Sequence, residues 1–383
     1  MKIAFIITGL STGGAEMMLL KLLSRIDHSC FEPIVISLAN RSEIAQQIES
    51  LGIPVYFIGM KPGRFSISGF LRLIRLLQKL KPDIIQGWMY HGNVVAQIVA
   101  YFTAKRTPVL WNIRGTHTDL QAEKFSTALT IWLGARLSTL PVKIINNSKT
   151  SALLHERKLG YSANKRVIIP NGFDTKVFCP STTAYIQLRQ ELDLPADSLL
   201  IGLIGRYHPM KDHANFLQAA AHLLTIYPNT HFVLAGAGVE LSNPELLKLV
   251  NELRLTKAVH LLGRRDDLPY ITAGLDIASS SSYGEGFPNV VGEAMSCGVP
   301  CVVTDVGDSA WIVGNTGKVV PPRNPITLAD AWRELIEMGT EGRHQLGEQA
   351  RQRVIENFSL DAIVRQYERL YKQIYNETRL KLC

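Results

Sequence analysis

The stretch LLIGLIGRYHPMKD at 199–212 decides how the second half of this chain folds. An apolar run ends at Gly205, and two cations, Arg206 and Lys211, follow it within one loop. This order predicts a strand that ends at the carboxyl edge of a parallel sheet, where the ligands of open α/β folds collect. Two cations at such an edge suit a diphosphate, although isolated cations are more often solvated surface groups. A second motif is needed to choose between these interpretations.

The second motif is YGEGFPNVVGEAM at 283–295, where Glu285 and Glu293 flank a turn that runs into a helix. Glycines on both sides of Glu285 permit a positive φ or the close approach of a ligand, and Pro288 suits the first helical position. The free N–H groups at the start of this helix favour an anion such as a diphosphate. Because carboxylates repel phosphate, we expect the two glutamates to bind neutral hydroxyl groups. A phosphorylated sugar supplies both kinds of group; the alternative is a pair of solvated carboxylates.

Short apolar strands alternate with helical segments along the whole chain, which predicts the α/β class. In the first half the expected strands are KIAFII, EPIVISL, VYFIG, DIIQGW, PVLWNIR and KIINNS. Helical segments are expected between them, near 15–26, 42–51, 66–80, 92–104 and 122–138. The second series is LLIGLIG, HFVLAGAG, VHLLG, IASSSS, PCVVTDV and GKVVP. The sequence therefore predicts two domains, 1–179 and 180–358, with the boundary between Cys179 and Pro195, where polar PSTTAY interrupts the pattern.

These motifs resemble the donor site of the retaining nucleotide-sugar glycosyltransferases of family 4, also called group 1. The similarity extends through IITGLSTGGAE near the start, IIPNGFD at 168–174, FVLAGAG at 232–238 and CGVPCVVTDVGD at 297–308, and so covers nearly the whole chain. It implies the GT-B fold, in which two Rossmann-like domains face a central cleft. It also implies that the amphipathic helix predicted at 359–377 packs back on the first, acceptor-binding domain.

The resemblance implies roles for the residues that match the family's motifs. Catalysis is implied for Arg206, Lys211 and Glu285. Binding of the nucleotide-sugar donor is implied for Gly14, Gly205, Arg206, Lys211, Gly286, Phe287, Pro288, Asn289 and Glu293. In the family the loop that contains Gly14 closes over the donor, whereas the alternative is a tight turn between a strand and a helix.

Two departures from the family's pattern concern the substrates. Many members end the strand corresponding to VLWNIR with a histidine, but this chain has Arg114 there and His117 three residues later. His91 follows the strand DIIQGW, and all three residues are candidates for the acceptor side, with an ordinary structural role as the alternative for the histidines. Many members have a second glycine and an acidic residue in the segment that corresponds to GDSAW at 307–311, where this chain has Asp308 and Trp311. This departure points to a different acceptor or donor.

Several classes of protein are excluded by the sequence. No apolar run approaches the roughly 18 residues that span a bilayer, and KIAFIITGL indicates a first strand because no cleavage site follows it. Five cysteines without a C-x-x-C pair argue against a zinc site or a disulfide framework, and Cys297 and Cys301 are expected in the core. A nicotinamide site at FVLAGAG is disfavoured because Leu241 stands where the fingerprint needs its third glycine.

The positive charge is concentrated in the first half of the chain. Residues 1–180 contain 22 Lys+Arg and 10 Asp+Glu, a net charge of +12 within a total of +8. This asymmetry predicts contact with an anionic surface, either a membrane leaflet or a phosphate-bearing acceptor. Nucleic acid is disfavoured as a partner because the sequence has no recognisable nucleic-acid-binding module.

The segment 66–83 combines an apolar stripe with cations at helical spacing. The apolar residues are Phe70, Leu73, Ile74, Leu77 and Leu80, and the cations are Arg72, Arg75, Lys79 and Lys81. We expect the stripe to pack on the sheet and the cations to face outward. The prediction is a cytoplasmic protein with salt-sensitive, peripheral attachment to the cytoplasmic membrane face.

The function that the resemblance implies is a retaining transfer of a hexosyl or N-acetylhexosaminyl group from a nucleoside-diphosphate sugar to an acceptor hydroxyl. A glycan or lipid-linked acceptor of cell-surface polysaccharide synthesis is expected. No D-x-D carboxylate pair occurs, so neither a metal nor another cofactor is expected. Two alternatives are a nucleotide-sugar epimerase of related fold, which needs no acceptor, and a noncatalytic sugar-binding protein. The cations together with the carboxylate pair disfavour both.

Overall fold

The computed structural model describes residues 1–11, 13–60, 66–103, 107–115, 120 and 123–380. The chain forms two compact units. The first contains Met1–Gly172 and Leu360–Cys383, and the second contains Phe173–Ser359. Each unit is built on a parallel sheet with helices, which confirms the predicted α/β class.

The sheet of the first unit contains β1 (Lys2–Ile7), β2 (Glu32–Ser37), β3 (Val55–Phe57), β4 (Ile84–Trp88), β5 (Val109–Ile113), β6 (Lys143–Asn146) and β7 (Arg166–Ile168). Within the described residues these strands pair in the order β3-β2-β1-β4-β5-β6-β7, and every pair is parallel. The sequence predicts the first six strands but not β7, whose short apolar run, 167–169, stands between Arg166 and Pro170.

The helices of the first unit are α1 (Gly14–Leu23), α2 (Glu43–Ser50), α3 (Ile67–Leu80), α4 (Met89–Ala100), α5 (Phe125–Leu137) and α6 (Lys149–Leu154), which continues as a π-helical turn, His155–Leu159. A 3₁₀ turn at Ala163–Lys165 precedes β7. α3 buries Leu73, Ile74 and Leu77 against the sheet, as the apolar stripe predicts.

α4 begins directly after β4, three residues earlier than the sequence predicts. Two glycines allow this tight junction. A Cβ at Gly92 would lie 2.3 Å from the carbonyl oxygen of Ile6, and one at Gly87 would lie 2.4 Å from the Cα of Asn93. The first turn of α4 therefore lies closely over the sheet, and this position places His91.

The sheet of the second unit contains β8 (Leu199–Ile204), β9 (Thr230–Ala235), β10 (Val259–Leu261), β11 (Ile277–Ser280), β12 (Cys301–Thr304) and β13 (Gly317–Val320), in the parallel order β10-β9-β8-β11-β12-β13. The helices are α7 (Thr182–Glu191), α8 (His213–Leu224), α9 (Pro244–Glu252), α10 (Leu268–Ala273), α11 (Asn289–Ser296), α12 (Ser309–Val313), α13 (Pro325–Glu337) and α14 (Gly339–Asn357), with a 3₁₀ turn at Pro209–Lys211. Cys297 and Cys301 are buried in its core, as expected.

The units divide at Gly172 and Phe173, ahead of the predicted interval between Cys179 and Pro195. The Phe173 ring is buried and stacks on Phe287, so this residue already belongs to the core of the second unit. The polar PSTTAY is not a linker, because Ser181 caps α7 by accepting a hydrogen bond from the amide of Ala184 at 3.1 Å. Serine and threonine favour loops and helix starts alike, which explains the misreading.

The last helix, α15 (Leu360–Leu380), lies in the first unit. Its apolar residues Ile363, Tyr367, Tyr371 and Ile374 follow helical spacing and are buried in the core beneath β1 and β4. The Tyr367 hydroxyl accepts a hydrogen bond from Nδ2 of Asn112 at 2.8 Å. The chain thus returns to the first sheet, as the resemblance implies for the helix predicted at 359–377.

Candidate active site

Two loops at the carboxyl edge of the second sheet bring a cation and a carboxylate together. Residues 205–212 follow β8 and residues 281–288 follow β11, and these strands are neighbours. Lys211 Nζ lies 2.5 Å from Glu285 Oε1, although the residues are 74 positions apart in sequence. The side chains of Lys211 and Glu285 are 24% and 13% exposed, so the pair is shielded but open to a ligand.

Buried hydroxyl groups hold this pair in place. Ser282 Oγ donates to Glu285 Oε1 at 2.8 Å, and Ser281 Oγ donates to the carbonyl of Lys211 at 2.8 Å. Thr304 Oγ1 in turn donates to the carbonyl of Ser282. Within the described chain Glu285 Oε2 accepts no hydrogen bond, so one oxygen of this carboxylate is available to a substrate hydroxyl.

Arg206 stands at the open side of the same loop. Its side chain is exposed and forms no ion pair within the described ranges. Gly205 donates its N–H to the carbonyl of Ala235 at 2.8 Å. A Cβ at Gly236 would lie 2.2 Å from the carbonyl oxygen of Gly205 and 2.8 Å from the nitrogen of Arg206. The glycine of the FVLAGAG turn therefore lets the β9 loop pack against the β8 loop.

The glycine that the carboxylate loop requires differs from the predicted ones. Neither Gly284 nor Gly286 has a positive φ. Gly307 does, with φ +57°, and a Cβ there would lie 2.6 Å from the carbonyl oxygens of both Glu285 and Gly286. The sequence gives this glycine no role in the site, although it allows the loop after β12 to support the loop that carries Glu285.

α11 follows this loop and carries the second carboxylate. The helix begins at Asn289, which is exposed, and Pro288 precedes it as the N-cap residue instead of opening it. Glu293 is half-buried one turn into the helix. Both predicted carboxylates thus belong to one continuous loop and helix at the edge of the sheet.

Phe287 packs inward and anchors the loop. Its ring stacks on Phe173 at 6.1 Å and meets Trp311 edge to face at 6.0 Å. The Asp308 amide donates to the carbonyl of Gly286 at 2.8 Å. GDSAW therefore has a structural role, because Asp308 and Trp311 support the backbone that positions Glu285.

A buried histidine lies beneath the cationic loop. Burial and the charge of Lys211 lower the pKa of His213 from 6.5 to about 4, so the ring is neutral at physiological pH. Its ring lies against that of Tyr207, with centroids 5.2 Å apart. A neutral ring here adds no charge beside Lys211. The sequence carried no signal for this residue, because nothing in its neighbours shows that it is buried.

Family models match both units of the chain. One described as Glycosyl transferases group 1 matches residues 198–338, and one described as Glycosyltransferase Family 4 matches residues 12–177. The chain belongs to the family 4 glycosyltransferases. The first of these matches includes Arg206, Lys211, Glu285 and Glu293 of this glycosyltransferase.

Curated relatives and solved structures agree with this assignment. UDP-Gal:alpha-D-GlcNAc-diphosphoundecaprenol alpha-1,3-galactosyltransferase of Escherichia coli is 27% identical over 65% of this chain and 64% of its own length. The chain thus matches slightly less than two thirds of that relative. N-acetyl-alpha-D-glucosaminyl L-malate synthase of Bacillus anthracis is 25% identical over 80% of this chain and 79% of its own. The Anabaena HepE structure in complex with UDP has a TM-score of 0.83 at 23% identity, over 97% of this chain and 100% of its own, and shows the shared GT-B fold.

In the first unit of the glycosyltransferase, Arg114 is tied to the terminal helix. Its Nη1 donates to the Tyr367 hydroxyl at 2.9 Å and to Asn112 Oδ1 at 3.3 Å, and its Nη2 donates to Asn171 Oδ1. The guanidinium also lies over the Trp88 ring, 5.2 Å from its centroid. These contacts give Arg114 a structural role that the sequence did not predict.

For two other candidate residues of the first unit, Gly14 and His91, the structure gives the position and the burial. Gly14 is exposed at the first position of α1, directly after the extended Gly13. His91 is half-buried in the first turn of α4, and burial lowers its pKa, which favours the neutral ring. His117 lies outside the described residues. Gly14 and His91 follow neighbouring strands, since β1 pairs with β4, and the Trp88 ring Nε1 donates to the carbonyl of Ala15 at 2.9 Å.

Proposed function

We propose that this protein is a retaining glycosyltransferase that moves a sugar from a nucleoside-diphosphate sugar to an acceptor hydroxyl. The contact between Lys211 Nζ and Glu285 Oε1, at 2.5 Å, carries the proposal. It joins the group suited to a phosphate and the group suited to a sugar hydroxyl at the edge of the sheet where α/β folds bind ligands. Membership of the glycosyltransferase family supports the same chemistry.

The cations stabilise the leaving group in this proposal. Negative charge develops on the diphosphate as its bond to the sugar breaks, and fixed positive charges favour that transition state. Arg206 is exposed and offers a planar fork of donors. Lys211 has three N–H donors, of which one is directed at Glu285, so two are left for phosphate oxygens.

The two carboxylates bind hydroxyl groups of the donor. Glu285 Oε1 is held by Lys211 and Ser282, and Oε2 is the oxygen assigned to a hydroxyl of the transferred sugar. Glu293 is assigned to the ribose hydroxyls. The backbone beside the donor is that of Gly205, Gly286 and Asn289. Phe287 packs inward and supports the donor site.

Retention is proposed to proceed by attack on the same face of the sugar. The bond between the anomeric carbon and the diphosphate oxygen breaks, and the acceptor oxygen bonds to that carbon from the side that the diphosphate leaves. The acceptor proton passes to an oxygen of the departing diphosphate. We assign no metal to this step, because the sequence offers no D-x-D pair to hold one beside the diphosphate.

The names of similar proteins guide the choice of substrates. The relative from Escherichia coli uses UDP-Gal and a diphosphoundecaprenol-linked acceptor, and HepE was solved with UDP. We propose a uridine nucleotide carrying a hexose or N-acetylhexosamine, and a glycan or lipid-linked acceptor of polysaccharide synthesis. His91 is the described first-unit residue that we still assign to the acceptor.

A panel of nucleoside-diphosphate sugars, screened by thermal unfolding, tests the donor. A ligand that binds only the folded protein raises its apparent stability, by about 2.7 kcal/mol at 100 times its Kd. The matched control is Lys211→Ala, which should lose the stabilisation. Product analysis with donor alone then separates the classes: an epimerase converts the donor without acceptor, and a binding protein leaves it unchanged. Stabilisation by no member of the panel would contradict the proposal.

A further inference from the structure

The outer face of α5 is apolar where solvent reaches it. Phe125, Leu129 and Trp132 are 83%, 49% and 48% exposed, and they recur at i, i+4 and i+7, so they form one stripe. The opposite face is also apolar, with Ile131 and Ala135 buried. A surface helix normally turns polar residues to solvent, and α5 does not.

Further apolar side chains are exposed on the same helical layer. α4 contacts both α3 and α5, so the three helices form one layer. Tyr101 and Phe102, which follow α4, are exposed, as is Leu71 of α3. The Phe102 ring meets that of Phe70 edge to face at 6.1 Å, which fixes it beside α3. Exposed apolar groups that cluster in this way mark an interaction surface.

Cations border this surface, and the three helices contain no Asp or Glu. Lys124 and Arg136 are exposed near the two ends of α5, and the Arg136 guanidinium lies over the Trp132 ring at 5.3 Å. α3 adds the exposed cations Arg72, Arg75 and Lys79. The three helices therefore combine apolar groups with positive charge and no carboxylate, and one carboxylate, that of half-buried Glu123, precedes Lys124.

We propose that this layer, α3, α4 and α5, docks on an anionic lipid bilayer. Aromatic and leucine side chains enter the boundary between headgroups and acyl chains, while lysine and arginine contact the anionic headgroups. A second copy of the chain fits less well, because a symmetric contact would oppose identical cations. Within the described ranges no helix has the length and apolar content needed to cross a membrane.

Docking on a bilayer brings the protein to the surface that holds a lipid-linked acceptor. This argument rests on the proposed function. α5 links β5 to the parallel strand β6 and so begins on the carboxyl side of the first sheet. Phe125, the first residue of α5, is thus on the side of the sheet where βα loops bind substrates. Vesicle binding is measured without donor, so its failure can be distinguished from a failure of sugar transfer.

The test is co-sedimentation with phosphatidylcholine vesicles that contain about one third phosphatidylglycerol, at low and high salt. Leu129→Ser with Trp132→Ser should weaken binding roughly tenfold or more. The matched control is Ile186→Ser with Ile326→Ser, which removes side chains 48% and 57% exposed on the second unit and should bind as the wild type does. Replacement of Arg72, Arg75 and Lys79 by Gln should weaken binding at low salt.

Trp132 supplies a second readout that does not depend on a destabilising change. The other four tryptophans are buried or half-buried, so brominated lipid should quench mainly Trp132 fluorescence. Trp132→Phe should keep vesicle binding and lose the quenching. Absence of binding at low salt, or binding without quenching, would overturn the proposal. A wild-type dimer that Leu129→Ser with Trp132→Ser converts to monomer would overturn it in favour of a second copy.

Discussion

Two ion pairs in the second unit are alike in distance and different in surroundings. Arg189 Nη2 lies 2.6 Å from Asp276 Oδ2, and the two side chains are 2% and 7% exposed. Lys211 and Glu285 meet at 2.5 Å, with side chains 24% and 13% exposed. The first pair is sealed in the unit, whereas the second lies at the edge of the sheet.

The two pairs differ in the hydrogen-bonding capacity that they leave unused. This difference separates a role in stability from a role in ligand binding. Arg189 also donates to three backbone carbonyls, those of Tyr185, Ser198 and Gly274. Asp276 Oδ2 accepts a further hydrogen bond from the amide of Leu200 at 2.8 Å. Lys211 keeps donors for phosphate, and Glu285 keeps Oε2 for a hydroxyl. A saturated pair holds the fold, and an unsaturated pair can bind a ligand.

The largest expected effect comes from breaking the buried pair of Arg189 and Asp276. Arg189→Ala would leave the buried Asp276 carboxylate with a longer ion pair, to Arg343 Nη2 at 4.0 Å, and we expect the free energy of unfolding to fall by about 3–5 kcal/mol. Denaturant unfolding measures this. The control is Arg333→Ala, which removes exposed pairs with Asp330 and Glu337 and should cost under about 1 kcal/mol. Equal losses in Arg189→Ala and Arg333→Ala would contradict the larger contribution of the buried pair.

The second largest expected effect is a loss of turnover when a cation at the edge of the sheet, Lys211 or Arg206, is removed. Lys211→Ala or Arg206→Ala should lower turnover by at least about 10²-fold, because each removes charge that stabilises the departing diphosphate. The unfolding free energy should stay close to that of the wild type, in contrast to Arg189→Ala. Steady-state transfer assays beside denaturant unfolding would show it. Wild-type turnover in both variants would refute the assignment of the cations.

Stability measured over a series of pH values tests the neutral state of His213, which lies beneath the loop that carries Lys211. Its pKa is lowered from 6.5 to about 4 by burial and by Lys211, so the unfolded chain binds a proton in this window that the folded chain does not. Stability should therefore fall as the pH drops from about 6.5 to about 4. His213→Gln should reduce that fall by about 3 kcal/mol, while His260, whose pKa is also lowered to about 4, keeps part of it. Identical pH profiles for variant and wild type would contradict the neutral His213.

The smallest expected effects separate the two carboxylates. Glu293→Gln should weaken binding of the nucleoside diphosphate by about tenfold, since it loses charged hydrogen bonds to ribose. Glu285→Gln should leave that binding nearly unchanged and reduce sugar transfer. Calorimetry with the nucleotide and transfer assays with the full donor provide the two measurements. If both variants behave alike in both, the division of roles is wrong.

Much of the fold was predictable because it depends on local patterns. Apolar runs marked the first six strands of the first sheet, and Gly205 marked the end of β8. β7 escaped because its apolar run, 167–169, is confined between Arg166 and Pro170. PSTTAY was taken for a boundary because capping residues and loop residues share the same chemistry.

The candidate site was predictable where its residues share a motif. Lys211 and Glu285 were named from their loops, but their contact depends on the adjacency of β8 and β11, which the sequence does not display. Gly307 and His213 carried no signal, because their roles come from what packs against them. The contacts of Arg114 escaped prediction for the same reason, since Tyr367, its hydrogen-bond partner, is 253 residues away.

The central claim is that the unsaturated Lys211–Glu285 pair belongs to a site for a nucleoside-diphosphate sugar. The most direct test is calorimetric measurement of the Kd for a uridine diphosphate on the wild type and on Lys211→Ala. The account predicts a Kd roughly tenfold or more higher in the variant, with an unchanged unfolding transition. An equal Kd in the two proteins would contradict it.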